Sequence, residues 1–104
     1  MQTGHRSSKP RQPDPSLKIV WTPPFTRDFQ ALPHEVRARA EKALRLLVEN
    51  PRHPSLRAKK MQGVEDIGEA RVSLSHRITY QFAENTLTLR RIGTHDILRT
   101  EARS

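Results

Sequence analysis

Between Glu69 and Arg90 the sequence alternates apolar and polar residues three times in succession, and nothing else in the chain constrains the fold as tightly. Ala70, Val72 and Leu74 alternate with Glu69, Arg71 and Ser73; Ile78, Tyr80 and Phe82 with Arg77, Thr79 and Gln81; Leu87 and Leu89 with Thr88 and Arg90. Successive side chains of a strand point to opposite faces, so each run reads as a strand with one buried face. The links Ser75-His76 and Ala83-Glu84-Asn85 are short enough for hairpins, which makes the three runs an antiparallel meander. Arg91 and Ile92 break the alternation and predict a bulge, or the end of the strand, near Gly93.

The apolar face of such a meander needs a cover, and the preceding segment supplies one. Leu17, Ile19 and Trp21 alternate with Lys18 and Val20, predicting a short first strand closed by Pro23-Pro24, with Trp21 and Tyr80 in the core. Phe25, Phe29 and Leu32 share the face of a short helix. Pro33 suits the first turn of a second helix, Glu35 places negative charge at its positive end, and Val36, Ala40, Ala43, Leu44 and Leu47 recur at helical spacing. That helix should stop near Asn50 in a left-handed cap, ahead of Pro51. The fold class expected is α+β, with a strand, two helices and the meander in order and the helices on one face of the sheet. The tail from Thr94 to Ser104 reads as too short for more than a turn of helix.

One such domain fills the 104 residues, from about Leu17 to the end. Residues 1–16 carry Pro10, Pro13 and Pro15 among Gln, Ser, Arg and Lys with almost nothing apolar, and read as a disordered basic arm. Hydrophobic residues are 34% of the chain, so the core should be thin. Cysteine is absent, which excludes disulfide and thiolate chemistry, and no apolar run approaches the roughly 20 residues of a membrane span. A cytoplasmic protein is the expectation.

Lysine and arginine total 19 against 11 acidic residues, a net charge of +8, which suits a nucleic acid or an acidic protein as partner. The polar face of the meander carries Glu69, Arg71, Arg77, Thr79 and Arg90, able to present several guanidinium groups to a phosphate backbone. From Pro51 to Val64 there is no acidic residue, while Arg52, His53, Arg57, Lys59 and Lys60 fall in the stretch. Each has a plain alternative: Arg71 a cross-strand salt bridge, the lysines a solvated loop, His76 a turn.

The five histidines are scattered without metal-ligand spacing, the glycines form no phosphate loop, and no cofactor is expected. Histidine and arginine suffice for one reaction. RNA carries its own nucleophile, the 2′-hydroxyl, so cleavage needs a base, an acid for the leaving 5′-oxygen, and cations for the developing charge.

The order of segments adds to this. The run His53-Pro54-Ser55-Leu56-Arg57-Ala58-Lys59-Lys60-Met61-Gln62-Gly63, then Glu69-Ala70-Arg71-Val72, Ser75-His76-Arg77-Ile78-Thr79-Tyr80 and Ile92-Gly93-Thr94-His95-Asp96, resembles the RelE/ParE toxin superfamily of bacterial toxin-antitoxin systems from Lys18 to about Leu98. The resemblance implies a ribosome-dependent mRNA endonuclease that an acidic antitoxin wraps as a hetero-oligomer. It places a catalytic histidine at His95, an arginine opening a strand at Arg77, and a proton acceptor at His53 or at Lys59 or Lys60. Arg71 completes the electrostatic clamp, and Lys59, Lys60, Arg57 and Arg90 are the expected RNA contacts. Two departures stand out: Ser55 intervenes between Pro54 and Leu56, and Asp96 follows His95 where some relatives have an aromatic residue. A gyrase-poisoning ParE-like toxin, or a non-catalytic RNA- or antitoxin-binding domain, would have the same fold.

Overall fold

The computed structural model describes residues 17–60 and 66–103, so the expected arm at 1–16 lies outside the described residues. The elements run β1 (Lys18–Trp21), α1 (Pro23–Gln30), α2 (His34–Glu49), a 3-10 turn (Pro54–Leu56), β2 (Lys59–Lys60), β3 (Gly68–Arg71), β4 (Arg77–Ala83), β5 (Thr86–Gly93) and α3 (Asp96–Arg103). The five strands form one sheet in the order β1-β5-β4-β3-β2. The meander β3-β4-β5 is antiparallel, as its alternation predicts, and β1 joins β5 in parallel.

The Pro23-Pro24 pair does two jobs. It ends β1, and it occupies the first positions of α1, where the missing N–H groups have no intrahelical partner to lose. Thr22 caps that helix, its hydroxyl accepting from the Phe25 N–H at 3.3 Å and donating to the Leu89 carbonyl at 2.7 Å, so one side chain joins α1 to β5. Asp28, in the last turn of α1, accepts from the Ile92 N–H at 3.1 Å and from Arg91 Nε at 2.6 Å. Arg37 closes the turn between the helices by donating to the carbonyls of Gln30 and Leu32.

Phe25, Ala40, Ala43 and Leu47 from the helices meet Ala70, Ile78, Tyr80, Leu87, Leu89 and Ile92 of the sheet in one core, with Leu56 of the 3-10 turn. The bulge sits one residue before the predicted break: Tyr80 pairs with Leu89 but Thr79 with Arg91, so Arg90 is the extra residue. It lets Ile92, three positions beyond Leu89, share the buried face.

Several expectations need correction. β3 ends at Arg71, and Leu74 is 85% exposed in a link that extends through His76. Trp21 and Ile19 are each 44% exposed, because β1 is an edge strand and Trp21 packs edge-to-face on Phe25 and Phe29 at the margin of the core. Asn50 caps α2 with φ −153°, extended rather than left-handed. The tail forms an eight-residue helix, not one turn, anchored by buried Ile97. Thr79, expected on the open polar face, is fully buried. Strand β2 was unforeseen because two consecutive lysines carry no alternation.

Candidate nucleic-acid interface

The register lays out the polar face in rows. Arg71, Arg77 and Gly93 lie across β3, β4 and β5 in one row, and Lys59, Glu69, Thr79 and Arg91 in the next. Two guanidinium-bearing residues are therefore direct cross-strand partners, an arrangement that like charge disfavours.

Arg77 is largely committed to its own surroundings. Its Nη1 donates to the carbonyls of Ser73 and His76, each at 3.0 Å, and Nε lies 3.8 Å from Glu69 Oε1. Glu69, nearly buried, also faces Lys59 Nζ at 3.9 Å. Both separations exceed hydrogen-bond length, so Glu69 acts on them as a charge set between two cations. The link itself is tied by the Val72 and Ser73 N–H groups donating to the His76 carbonyl, and His76 Nδ1 lies 3.2 and 3.1 Å from the hydroxyls of Ser73 and Ser75. His76 is a turn residue, as its plain alternative had it.

Arg71 is different. Its Nε–H is buried without a hydrogen-bond partner, and no ion pair involves it among the described residues. Removal from water, followed by the positive charges of Arg57 and Arg77, holds its pKa below the ordinary guanidinium value. The cross-strand salt bridge offered as its alternative is not formed. Arginine stays protonated, so the strain on its charge is relieved by an incoming anion.

The remaining candidates divide. His95 is exposed in the turn between Gly93 and α3, at the end of the strand whose last residue pairs with Arg77. His53 caps the 3-10 turn, its Nδ1 accepting from the Ser55 N–H at 3.1 Å and lying 2.8 Å from the Ser55 hydroxyl, so Ser55, the residue that loosened the motif, is what holds the ring. Arg57 is exposed with φ 46° just after that turn. Lys59 pairs with Glu69 and Lys60 with Gly68, and both line a pocket with Tyr80 and Phe82. Arg90 sits at the bulge, outside the Arg71–Arg77 row. Sequence reasoning missed Arg39 and Lys42 of α2; both line a pocket with Arg71, and their spacing of three, which aligns them on one helix side, was the available signal. Among the described residues no group of His, Asp or Glu could hold a metal ion, and no helix is long and apolar enough to cross a membrane.

Comparison with known proteins places the fold. A family model described as "ParE toxin of type II toxin-antitoxin system, parDE" matches residues 19–98. Comparison with curated protein sequences finds no match. Among solved structures, the fold resembles a chain of the E. coli DinJ-YafQ toxin-antitoxin complex at TM-score 0.69 and 18% identity, covering 80% of this chain and 97% of that one. A chain of the RelB-RelE antitoxin-toxin complex from Methanococcus jannaschii superposes at TM-score 0.64 with 17% identity, covering 78% and 95%. The YoeB/ParE toxin from Agrobacterium tumefaciens superposes at 0.66 with 18% identity, covering 76% and 99%.

Proposed function

The chain belongs to the ParE toxin family of type II toxin-antitoxin systems, and we propose that within it this toxin is a ribosome-dependent mRNA endonuclease held in check by an acidic antitoxin. The observation that carries the reading is Arg71, cross-strand from Arg77 with a buried Nε–H that lacks an acceptor. Two adjacent guanidinium groups match the non-bridging oxygens of a phosphodiester, and the negative charge that grows there in the transition state binds them more tightly than the ground state does.

In this reading the RNA 2′-oxygen attacks the adjacent phosphorus, the bond from phosphorus to the 5′-oxygen breaks, and a 2′,3′-cyclic phosphate and a 5′-hydroxyl result. Arg71 and Arg77 hold the phosphoryl oxygens, and His95 gives its proton to the departing 5′-oxygen. The 2′-hydroxyl proton goes to His53, Lys59 or Lys60. The register favours Lys59, which lies in the row beside Arg71 and Arg77, whereas the Nδ1 lone pair of His53 already accepts from Ser55. Arg57 and Arg90 add contacts to the strand. The net charge of +8 favours an acidic antitoxin, and the similar YafQ and RelE chains come from toxin-antitoxin complexes.

The matching family model favours a second reading, a toxin that poisons DNA gyrase and cleaves no RNA. One induction experiment separates the two. Expression of the chain should arrest translation and yield mRNA cut within translated regions, and His95→Ala should restore growth while circular dichroism shows an intact fold. Intact mRNA together with broken DNA would select gyrase.

A further inference from the structure

Beside the Arg71–Arg77 pair, the middle of α2, the 3-10 turn and the link after β3 enclose a half-open pocket of about 300 Å³. Arg39 and Lys42 enter from α2, Arg71 from the end of β3, and Ser55 and Ser73 add hydroxyl groups. Among the described residues no carboxylate lines it, and neither Arg39 nor Lys42 forms an ion pair. Three cations thus converge on one cavity without a counter-charge, and one of them, Arg71, holds a buried donor with nothing to bond.

We propose that this pocket is a second phosphate subsite, receiving the phosphodiester next to the one that is cut; the inference rests on the RNA reading above and assigns how the strand continues past the scissile bond. Arg71 belongs both to the cross-strand pair and to the pocket, so the two sites are contiguous. A strand held at Arg71–Arg77 delivers its neighbouring phosphate by covalent connection, and the second contact forms at high effective concentration. Among the described residues no aromatic side chain lines it, which argues against a base-stacking site and leaves the backbone as the part recognised. Ala43 and Leu56 form an apolar floor against which a ribose packs. Two consecutive phosphates fixed in this way set which bond reaches His95.

The test uses the full chain and a fluorescein-labelled octamer of 2′-O-methyl RNA, whose blocked 2′-oxygen prevents cleavage, with anisotropy read across salt concentrations. The Arg39→Ala/Lys42→Ala variant keeps its fold, because both positions are exposed on a helix and alanine is the best helix former. It should bind about tenfold more weakly, the loss of a charge-assisted hydrogen bond, and the slope of log K against log salt should shrink by about 0.7, one single-strand phosphate. An octamer with one phosphate replaced by a neutral methylphosphonate beside the cut position should lose affinity for the parent chain and lose no more for the variant. Unchanged affinity and slope in the variant, while Arg71→Ala weakens binding, would overturn the subsite and leave the RNA reading standing. Failure of the parent chain to bind the octamer, alone or with ribosomes, would remove both. A variant that binds RNA normally but loses a co-expressed acidic antitoxin would make the pocket a protein contact and overturn the proposal.

Discussion

Arg71 and Arg77 face each other across β3 and β4, yet only Arg77 has its charge answered, by Glu69 and the carbonyls of the link. An unanswered cation opposite another cation works against the folded state. Arg71→Gln should therefore raise the urea midpoint without changing the slope of the transition, while mRNA cleavage after induction falls at least tenfold, the cost of losing one charge-assisted contact to the transition state. A variant both less stable and fully active would contradict this account of Arg71.

Thr22 ties the start of α1 to the Leu89 carbonyl, so Thr22→Ala removes a helix cap and a hydrogen bond between elements together. The expected loss is about 1–2 kcal/mol in a urea titration. Thr22→Ser, which retains the hydroxyl, should recover most of it.

Gly68 lies under the ring of Tyr80, where an added Cβ would stand 2.6 Å from Cζ. Neither strand backbone nor a buried ring can move aside cheaply, so Gly68→Ala should destabilise the protein by about 1–3 kcal/mol. Thermal unfolding of Gly68→Ala against the parent chain measures it; an unchanged midpoint would mean that β3 is held less closely to β4 than the register indicates.

Burial, and then the charge of Glu69, push the Tyr80 hydroxyl above its ordinary pKa of 10.0. The unfolded chain then releases this proton at a lower pH than the folded one. The contribution is fully present below pH 10 and is lost as pH rises from there through the raised folded value. Stability measured across that range should fall more steeply for the parent chain than for Tyr80→Phe, and parallel curves would exclude the coupling.

Much of the fold was legible locally. The alternation in β4 and β5, the 3.6-residue spacing of Val36, Ala40, Ala43 and Leu47, and the broken pattern at Arg91 each report a backbone geometry that neighbouring residues impose, and the corresponding elements and the bulge at Arg90 are present. Leu74 misled because alternation also occurs by chance in a loop; the chain leaves the sheet after Arg71, where Ser73 to His76 satisfy one another and the Arg77 guanidinium. Trp21 and Ile19 misled because alternation marks a strand but not whether it lies at an edge.

The candidate site shows the same division. The sequence by itself determined which residue types were available: arginines at 71 and 77, a histidine after the last strand, and an excess of positive charge that asks for a polyanion. Only the tertiary structure decided which charges are answered. Glu69 falls between Lys59 and Arg77, Lys59 and not Lys60 meets the Glu69 carboxylate, and Arg39 and Lys42 come across from α2 to the end of β3. Pairing depends on strand register and on the separation of groups far apart in the chain, and electrostatic energy falls off with that separation rather than with distance along the sequence.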